Sequence, residues 1–281
     1  MTIYQDSKRI VGSSSTDFSA VILNEDFDYA SQTASNNVWV PQNNTSGKRV
    51  NVSTDKFEHS FGGSGATTNS NCVYDLGAGN VSETKWVLDF TAVVTSANRS
   101  NNVNSSSNFG LFTHSGTTAN ASGTSEKGVC LGFGNQSADT KFWAIKRTGS
   151  EAEDNGFNRT GTQFSTNDST GTYYIRMVRD GNNVTVSIHT ASSRTSANLT
   201  EEETVSVTGM TGLRWLGSKN YTSNSTSNSY AFNIDDVILY NDVTSITDPV
   251  YPSNVPDNSI LIEKDTVKRY WLAPALTPTY E

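Results

Sequence analysis

Charge is scarce in this chain of 281 residues: Lys, Arg, Asp and Glu make up only 17% of it, 20 basic residues against 28 acidic. A net charge of −8 offers no basic surplus to displace counterions from phosphates, which argues against a nucleic-acid partner. Cysteine is confined to Cys72 and Cys130 and histidine to His59, His114 and His189, so no zinc pattern can be written. Proline occurs once, at Pro41, before Pro249. No apolar run approaches the roughly 18 residues of a membrane-spanning helix, so membrane insertion is not expected. The opening MTIYQDSKRIVGSSS lacks the apolar core of a secretion signal, so an exported form needs another route or a particle that carries it out.

What fills the chain is Ser, Thr, Asn and Gly, together close to half of it. These are poor helix formers, whereas Thr suits strands and Asn and Gly suit turns. The composition therefore predicts strands joined by long polar loops. Glycosylation sequons stand at Asn43, Asn44, Asn51, Asn80, Asn98, Asn104, Asn120, Asn135, Asn158, Asn167, Asn183, Asn198, Asn220 and Asn224. Roughly seven or eight would arise by chance from this composition. N-glycosylation of an exposed protein and a loop-rich composition that makes sequons for free both account for the excess, and both put these stretches on exposed loops. Cys72 and Cys130 lie in the strand-like segments CVYDL and VCLGFG and can be bridged only if those strands pair.

Five of the six prolines crowd the end, at Pro249, Pro252, Pro256, Pro274 and Pro278. That shift divides the chain into an N-terminal arm (1–19), a body (20–244) and a Pro-rich linker with a tail (245–281). The body reads as strands at regular intervals, rich in aromatic and β-branched residues. In TKWVLDFTAVV, Trp86, Leu88, Phe90, Ala92 and Val94 alternate as in a strand buried on one face. In TYYIRMVRDGNNVTVSIHT, Gly181-Asn182 supplies a two-residue turn with positive φ available at both positions. Counting outward pairs Arg176 with Ser187 and Tyr174 with His189 on the outer face, and turns Ile175, Met177, Val186 and Ile188 to the core.

The segments EDFDYASQTASNNVWV, CVYDLGAG, KWVLDFTAVV, TYYIRMVRDGNNVTVSIHTASSR and AFNIDDVILYN together resemble the concanavalin A-like lectin and glucanase superfamily, especially laminin-G-like jelly rolls of marine microbial and viral surface proteins. The resemblance implies an all-β fold, a two-sheet antiparallel jelly-roll β-sandwich, with carbohydrate binding and sometimes a structural calcium. The ends, MTIYQDSKRIV and NSILIEKDTVKRYWL, resemble terminal segments of virion and tail-associated proteins.

Glycan hydrolysis in this superfamily rests on carboxylates spaced by two along one strand, which share a face. EAED at 151–154 reads as loop and EEET at 201–204 is consecutive, so both read as solvated charge, and Glu25, Asp26 and Asp28 open the first strand. The chain is therefore expected not to be an enzyme. A calcium would find carboxylates at Asp26 and Asp28 on the first strand and Asp235 and Asp236 on the last, unless these cap strands or pair with surface cations. For glycans, an aromatic plane beside polar groups is needed, which selects Trp143 with Arg147 on one strand and Tyr174, Arg176 and His189 on the hairpin. Trp39, Trp86 and Trp215 read as core.

In the tail, Ile260, Ile262, Tyr270, Trp271 and Leu272 flank a Lys264-Asp265-Thr266 turn, which predicts a hairpin too small to stand alone. Its aromatics are of the type that anchor interfaces, with Tyr4 in the arm acting alike. The sequence thus predicts a structural or attachment protein, extracellular or on a virion surface, with a lectin-like body and ends that bind copies of itself or other surface proteins. A free carbohydrate-binding module or adhesin is the alternative, and a glucanase-type hydrolase the third reading.

Overall fold

The structure is a computed structural model that describes residues 2–5, 8–10, 21–42, 48–61, 71–98, 105–115, 127–133, 141–148, 160–167, 169–222, 229–244, 260–262, 269–272 and 278–280. Strands β1 (Thr2–Gln5) and β2 (Lys8–Ile10) precede the body. The body opens with β3 (Val21–Glu25), helix α1 (Gln32–Val38), β4 (Trp39–Gln42), β5 (Lys48–Asn51), β6 (Lys56–Phe61) and β7 (Asn71–Asp75). It continues through β8 (Lys85–Asn98), β9 (Ser105–Phe112), β10 (Lys127–Phe133), β11 (Lys141–Thr148) and β12 (Thr160–Asn167). After these come β13 (Gly171–Asp180), β14 (Asn183–His189), β15 (Leu199–Ser206), β16 (Trp215–Thr222) and β17 (Ser229–Asn241). Three short strands end the chain: β18 (Ile260–Ile262), β19 (Arg269–Leu272) and β20 (Pro278–Tyr280).

Two compact units result, Ile22–Ser245 and the two ends together, Met1–Val21 with Ile246–Glu281. The larger unit is a sandwich. One sheet has the order β12-β11-β10-β9-β16-β7-β4, and the other β15-β14-β13-β8-β17-β6-β5 with β3 on β17. The smaller unit is a sheet ordered β2-β1-β18-β19-β20. The tail hairpin is present, with Ile260 opposite Trp271 and Ile262 opposite Arg269. The arm does not stand apart from it: Tyr4 lies opposite Ile260 and Thr2 opposite Ile262.

Alternation builds the body. Trp86, Leu88, Phe90, Ala92 and Val94 of β8 all enter the core, each contributing roughly 1–3 kcal/mol by leaving water. The β13–β14 hairpin has the register that the turn dictates, Tyr174 opposite His189 and Arg176 opposite Ser187. Of the turn pair only Gly181 takes positive φ, at 58°. Between the sheets runs an aromatic ladder in which His59 stacks on Phe232 at 4.4 Å and Phe232 on Phe133 at 4.1 Å, and Phe142 meets Tyr173 edge-on at 4.8 Å.

Several expectations are corrected here. The body is not strands alone: within EDFDYASQTASNNVWV, Ser31 accepts a hydrogen bond from the Ala34 N–H and caps a seven-residue helix, so strand resumes only at Trp39. Cys72 and Cys130 lie on β7 and β10, which do not pair, and belong to clusters on opposite faces of their sheet, so they are not bridged to each other. Glu201 is not solvated charge. From the edge strand β15 it accepts the Ser165 and Thr166 N–H groups of β12 at 2.7 and 2.8 Å and the Thr166 hydroxyl, tying the edges of the two sheets together. Among the described residues no helix is long and apolar enough to cross a membrane.

Candidate functional site

The two sheets turn very different outer faces away from the core. On the sheet that contains β10, strand register aligns side-chain positions in three rows. The first runs Asp75, Trp215, Phe112, Gly128, Arg147. Next to it run Val73, Gly217, Gly110, Cys130, Ile145 and Gly161. The third holds Asn71, Lys219, Asn108, Gly132, Trp143 and Gln163. Phe112, Cys130 and Ile145 form a separate apolar cluster on this face, against which the partly buried Trp143 and Trp215 pack.

The glycines are what make the cluster fit. A Cβ at Gly132 would lie 2.3 Å from Ile145 Cδ1 and one at Gly128 2.5 Å from Phe112 Cδ1, so neighbouring side chains fill both positions. At Gly217, with φ of 155°, a Cβ would meet the Cys72 carbonyl oxygen at 2.2 Å. Small residues thus let Phe112 and Ile145 lie flat and leave the indoles of Trp143 and Trp215 standing at the margins. Arg214 holds one of them: its guanidinium sits 4.8 Å over the Trp215 ring while donating to both Asp75 oxygens at 2.6 Å. That bond to Arg214 keeps the Asp75 carboxyl below the usual carboxylate range.

The other outer face is a closed polar network. Arg176 grips Asp89 through two hydrogen bonds of 2.9 and 2.8 Å, and Asp89 is only 4% exposed. A strap formed by residues 190–198 folds over them. Within it Arg194 has φ of 45°, donates from Nε to the Ile175 carbonyl, and accepts from Arg176 at its own carbonyl. Its guanidinium lies 5.8 Å over the Tyr174 ring. His189 closes the strap at the far end, bonded through Nδ1 to Asn198 and through Nε2 to Ser187, each at 3.0 Å. Burial pushes the His189 imidazole below its ordinary value, against the opposing bond to Asn198. Burial also pushes the Tyr240 phenol up.

The predicted glycan residues therefore do not come together. Trp143 and Arg147 lie on β11 of one sheet, whereas Tyr174, Arg176 and His189 lie on the outer face of the other. Arg147 is placed by backbone register, opposite Gly128. Nor are the four aspartates gathered: Asp235 pairs with Lys56 at 2.5 Å, Asp236 accepts from Thr91, and Asp26 accepts from the Asp28 N–H. Among the described residues no three His, Cys, Asp or Glu side chains group as a metal site. Glu25 ends β3 instead of opening it, and its carboxylate takes the Trp39 indole N–H, the Tyr29 hydroxyl and the Phe27 N–H. Of the sequons, Asn51, Asn80, Asn167, Asn183 and Asn198 are described. Asn98 and Asn220 are placed by strand position, and Asn43, Asn44, Asn104, Asn120, Asn135, Asn158 and Asn224 lie outside the described residues, as does EAED.

Trp215, read as core, belongs to the outer-face group, and with it Phe112 and Asp75–Arg214 were missed. A signal existed. NFGLF, GVCLGFG and WLGS each place glycine inside a strand, where it marks close approach of another group.

No protein-family model and no curated protein matches the sequence. The fold is similar to a β-glucanase of Bacillus licheniformis at 11% identity and a TM-score of 0.47, over 78% of this chain and 97% of that one. It is similar to the carbohydrate recognition domain of Emp47p at 13% and 0.47, over 83% and 100%. An alginate lyase from Klebsiella pneumoniae gives 13% and 0.42, over 72% and 86%. Enzymes stand beside a recognition domain in this comparison, so the expectation that the chain is not an enzyme is corrected. In architecture the chain is a two-sheet antiparallel β-sandwich, and what it shares with these proteins is a likeness of fold alone.

Proposed function

We propose that the body recognises carbohydrate on the outer face of the sheet that contains β10, and that the terminal sheet attaches it to an assembly on a virion or an extracellular surface. One observation carries the saccharide reading: Trp143 and Trp215, both partly exposed, flank a glycine-lined cluster on a single face. An indole presents the flat apolar surface that covers the C–H face of a sugar ring, and the amide and charged positions of the neighbouring rows suit its hydroxyls. The attachment reading rests on the ends. Tyr4, Ile260, Ile262, Tyr270 and Trp271 fall in one small sheet with two edge strands, the geometry on which strand addition by another copy or another surface protein operates.

Titration of the full chain with a panel of soluble polysaccharides, read by tryptophan fluorescence, tests the saccharide reading. Trp143→Ala and Trp215→Ala should each weaken binding about tenfold or more, whereas Tyr174→Ala should not. Equal loss in all three variants, or no binding to any polysaccharide, contradicts it. Assaying the same mixtures for cleaved product records whether binding leads on to catalysis.

A further inference from the structure

We infer that the saccharide taken by this face is an anionic polysaccharide, bearing carboxylate or sulfate groups; the inference rests on the saccharide reading above and names its ligand class. The charge of the chain as a whole points the other way, with 28 acidic against 20 basic residues. The outer face of the sheet that contains β10 departs from that balance. Strand register puts Arg147 in the row of Trp215 and Lys219 in the row of Trp143, and one row further on Lys141 stands opposite Asn167. Among the described strand positions of this face the one carboxylate is Asp75, and Arg214 already neutralises it. The outer face of the other sheet carries Glu58, Asp89, Asp180, Glu202, Asp235 and Asp236 against Arg49, Lys56, Lys85, Arg176 and Arg194 of the strap. The basic excess is therefore local to the face with the two tryptophans.

The rows give the arrangement its logic. Trp215 on β16 shares a row with Arg147 on β11, and Lys219 on β16 shares one with Trp143 on β11. Each row thus sets an aromatic position and a cationic position three strand spacings apart, roughly 14 Å, with Phe112 and Gly128 between them in one row and Asn108 and Gly132 in the other. A neutral glycan would use the cations only as hydrogen-bond donors to its hydroxyls, without the stronger charge-assisted bond that an acid group makes. A polymer of uronic acid or of sulfated sugar stacks one ring on an indole and offers the acid group of another residue to the cation across the row, and the local field raises its encounter rate in an otherwise acidic protein.

The test uses the full chain with three probes: polygalacturonate, dextran sulfate and a neutral β-1,3-glucan, each titrated at about 50 mM and about 500 mM salt, a range over which exposed charge interactions are screened. The inference predicts binding to one or both polyanions that weakens with salt, and little to the neutral polymer. The double variant Arg147→Gln, Lys219→Gln, with its strand circular dichroism unchanged, should lose affinity for the polyanion about tenfold or more. Whichever polyanion binds more tightly identifies the acid group as carboxylate or sulfate. Salt-independent binding of the neutral glucan at equal strength, or polyanion binding unchanged in the double variant, overturns the inference while the saccharide reading stands. Binding of none of the three overturns both.

Discussion

The two outer faces of the sandwich solve opposite problems. Where β8, β13 and β14 look outward, a strap from the chain itself covers the surface and charges are matched within the protein: Arg176 with Asp89, His189 with Asn198 and Ser187, Thr91 with Asp236. Where β9, β10, β11 and β16 look outward, the middle row is apolar or glycine, the flanking strand positions lean basic, and two indoles stand partly in solvent. A face whose polar groups are bonded within the protein, Arg194 Nη2 excepted, is built for stability. One that leaves aromatic edges exposed is built for contact.

The largest effect that separates the faces is expected at Arg176. Removing its guanidinium leaves Asp89 buried without its cation, so Arg176→Ala should cost about 3–5 kcal/mol in urea denaturation and leave saccharide affinity of the folded fraction unchanged. Replacing both partners by leucine should recover much of that loss. A loss below about 1 kcal/mol for Arg176→Ala would break the comparison on its closed side.

Gly217→Ala comes next. The added methyl must occupy space held by the Cys72 carbonyl oxygen, at a φ that side chains rarely adopt, so a loss of about 2–4 kcal/mol is expected by the same measurement. In contrast to Arg176→Ala, this change should also weaken saccharide binding, because it disturbs the floor beside Trp215. Unaltered stability would mean that the glycine rows do not set the shape of the face.

The smallest effect is in pH. The His189 imidazole is held below 6.5 by burial, beside Arg176 and Arg194. As pH falls, the unfolded chain takes up its proton first. Stability is thus full above about pH 6.5, declines as pH drops from there through the lowered native value, and is flat below. Melting temperature followed from pH 7.5 to 4.5 should show that decline, and His189→Asn should flatten it. An equal decline in the variant would assign the pH dependence to other groups.

How much of this was legible depends on how local each feature is. The β13–β14 register followed from one turn and one alternation, so Tyr174, Arg176 and His189 fall on one face as read. Trp215 was not legible in that way. In LRWLGS both alternating sets, Leu213-Trp215-Gly217 and Arg214-Leu216-Ser218, mix apolar with small or polar residues, so periodicity cannot say which set faces the core. Glu201 looked solvated because its partners, Ser165 and Thr166, lie on the other sheet. Arg194 stood in a stretch of Ser, Thr and Asn that reads as loop, and only the folded strap brings it over Tyr174. The pairing of Thr2 with Ile262 joins opposite ends of the chain, which no local pattern encodes. Local chemistry revealed the fold, whereas long-range packing determined which aromatics remain at the surface.

The most direct test of the account is to find which face a saccharide covers. Backbone hydrogen exchange of the full chain, measured with and without saturating polygalacturonate, reads both faces in one experiment. The account predicts added protection in β9, β11 and β16, with residues 190–198 unchanged. Protection confined to residues 190–198 and β13, with the strands around Trp143 and Trp215 unaffected, would place the ligand on the closed face and contradict it.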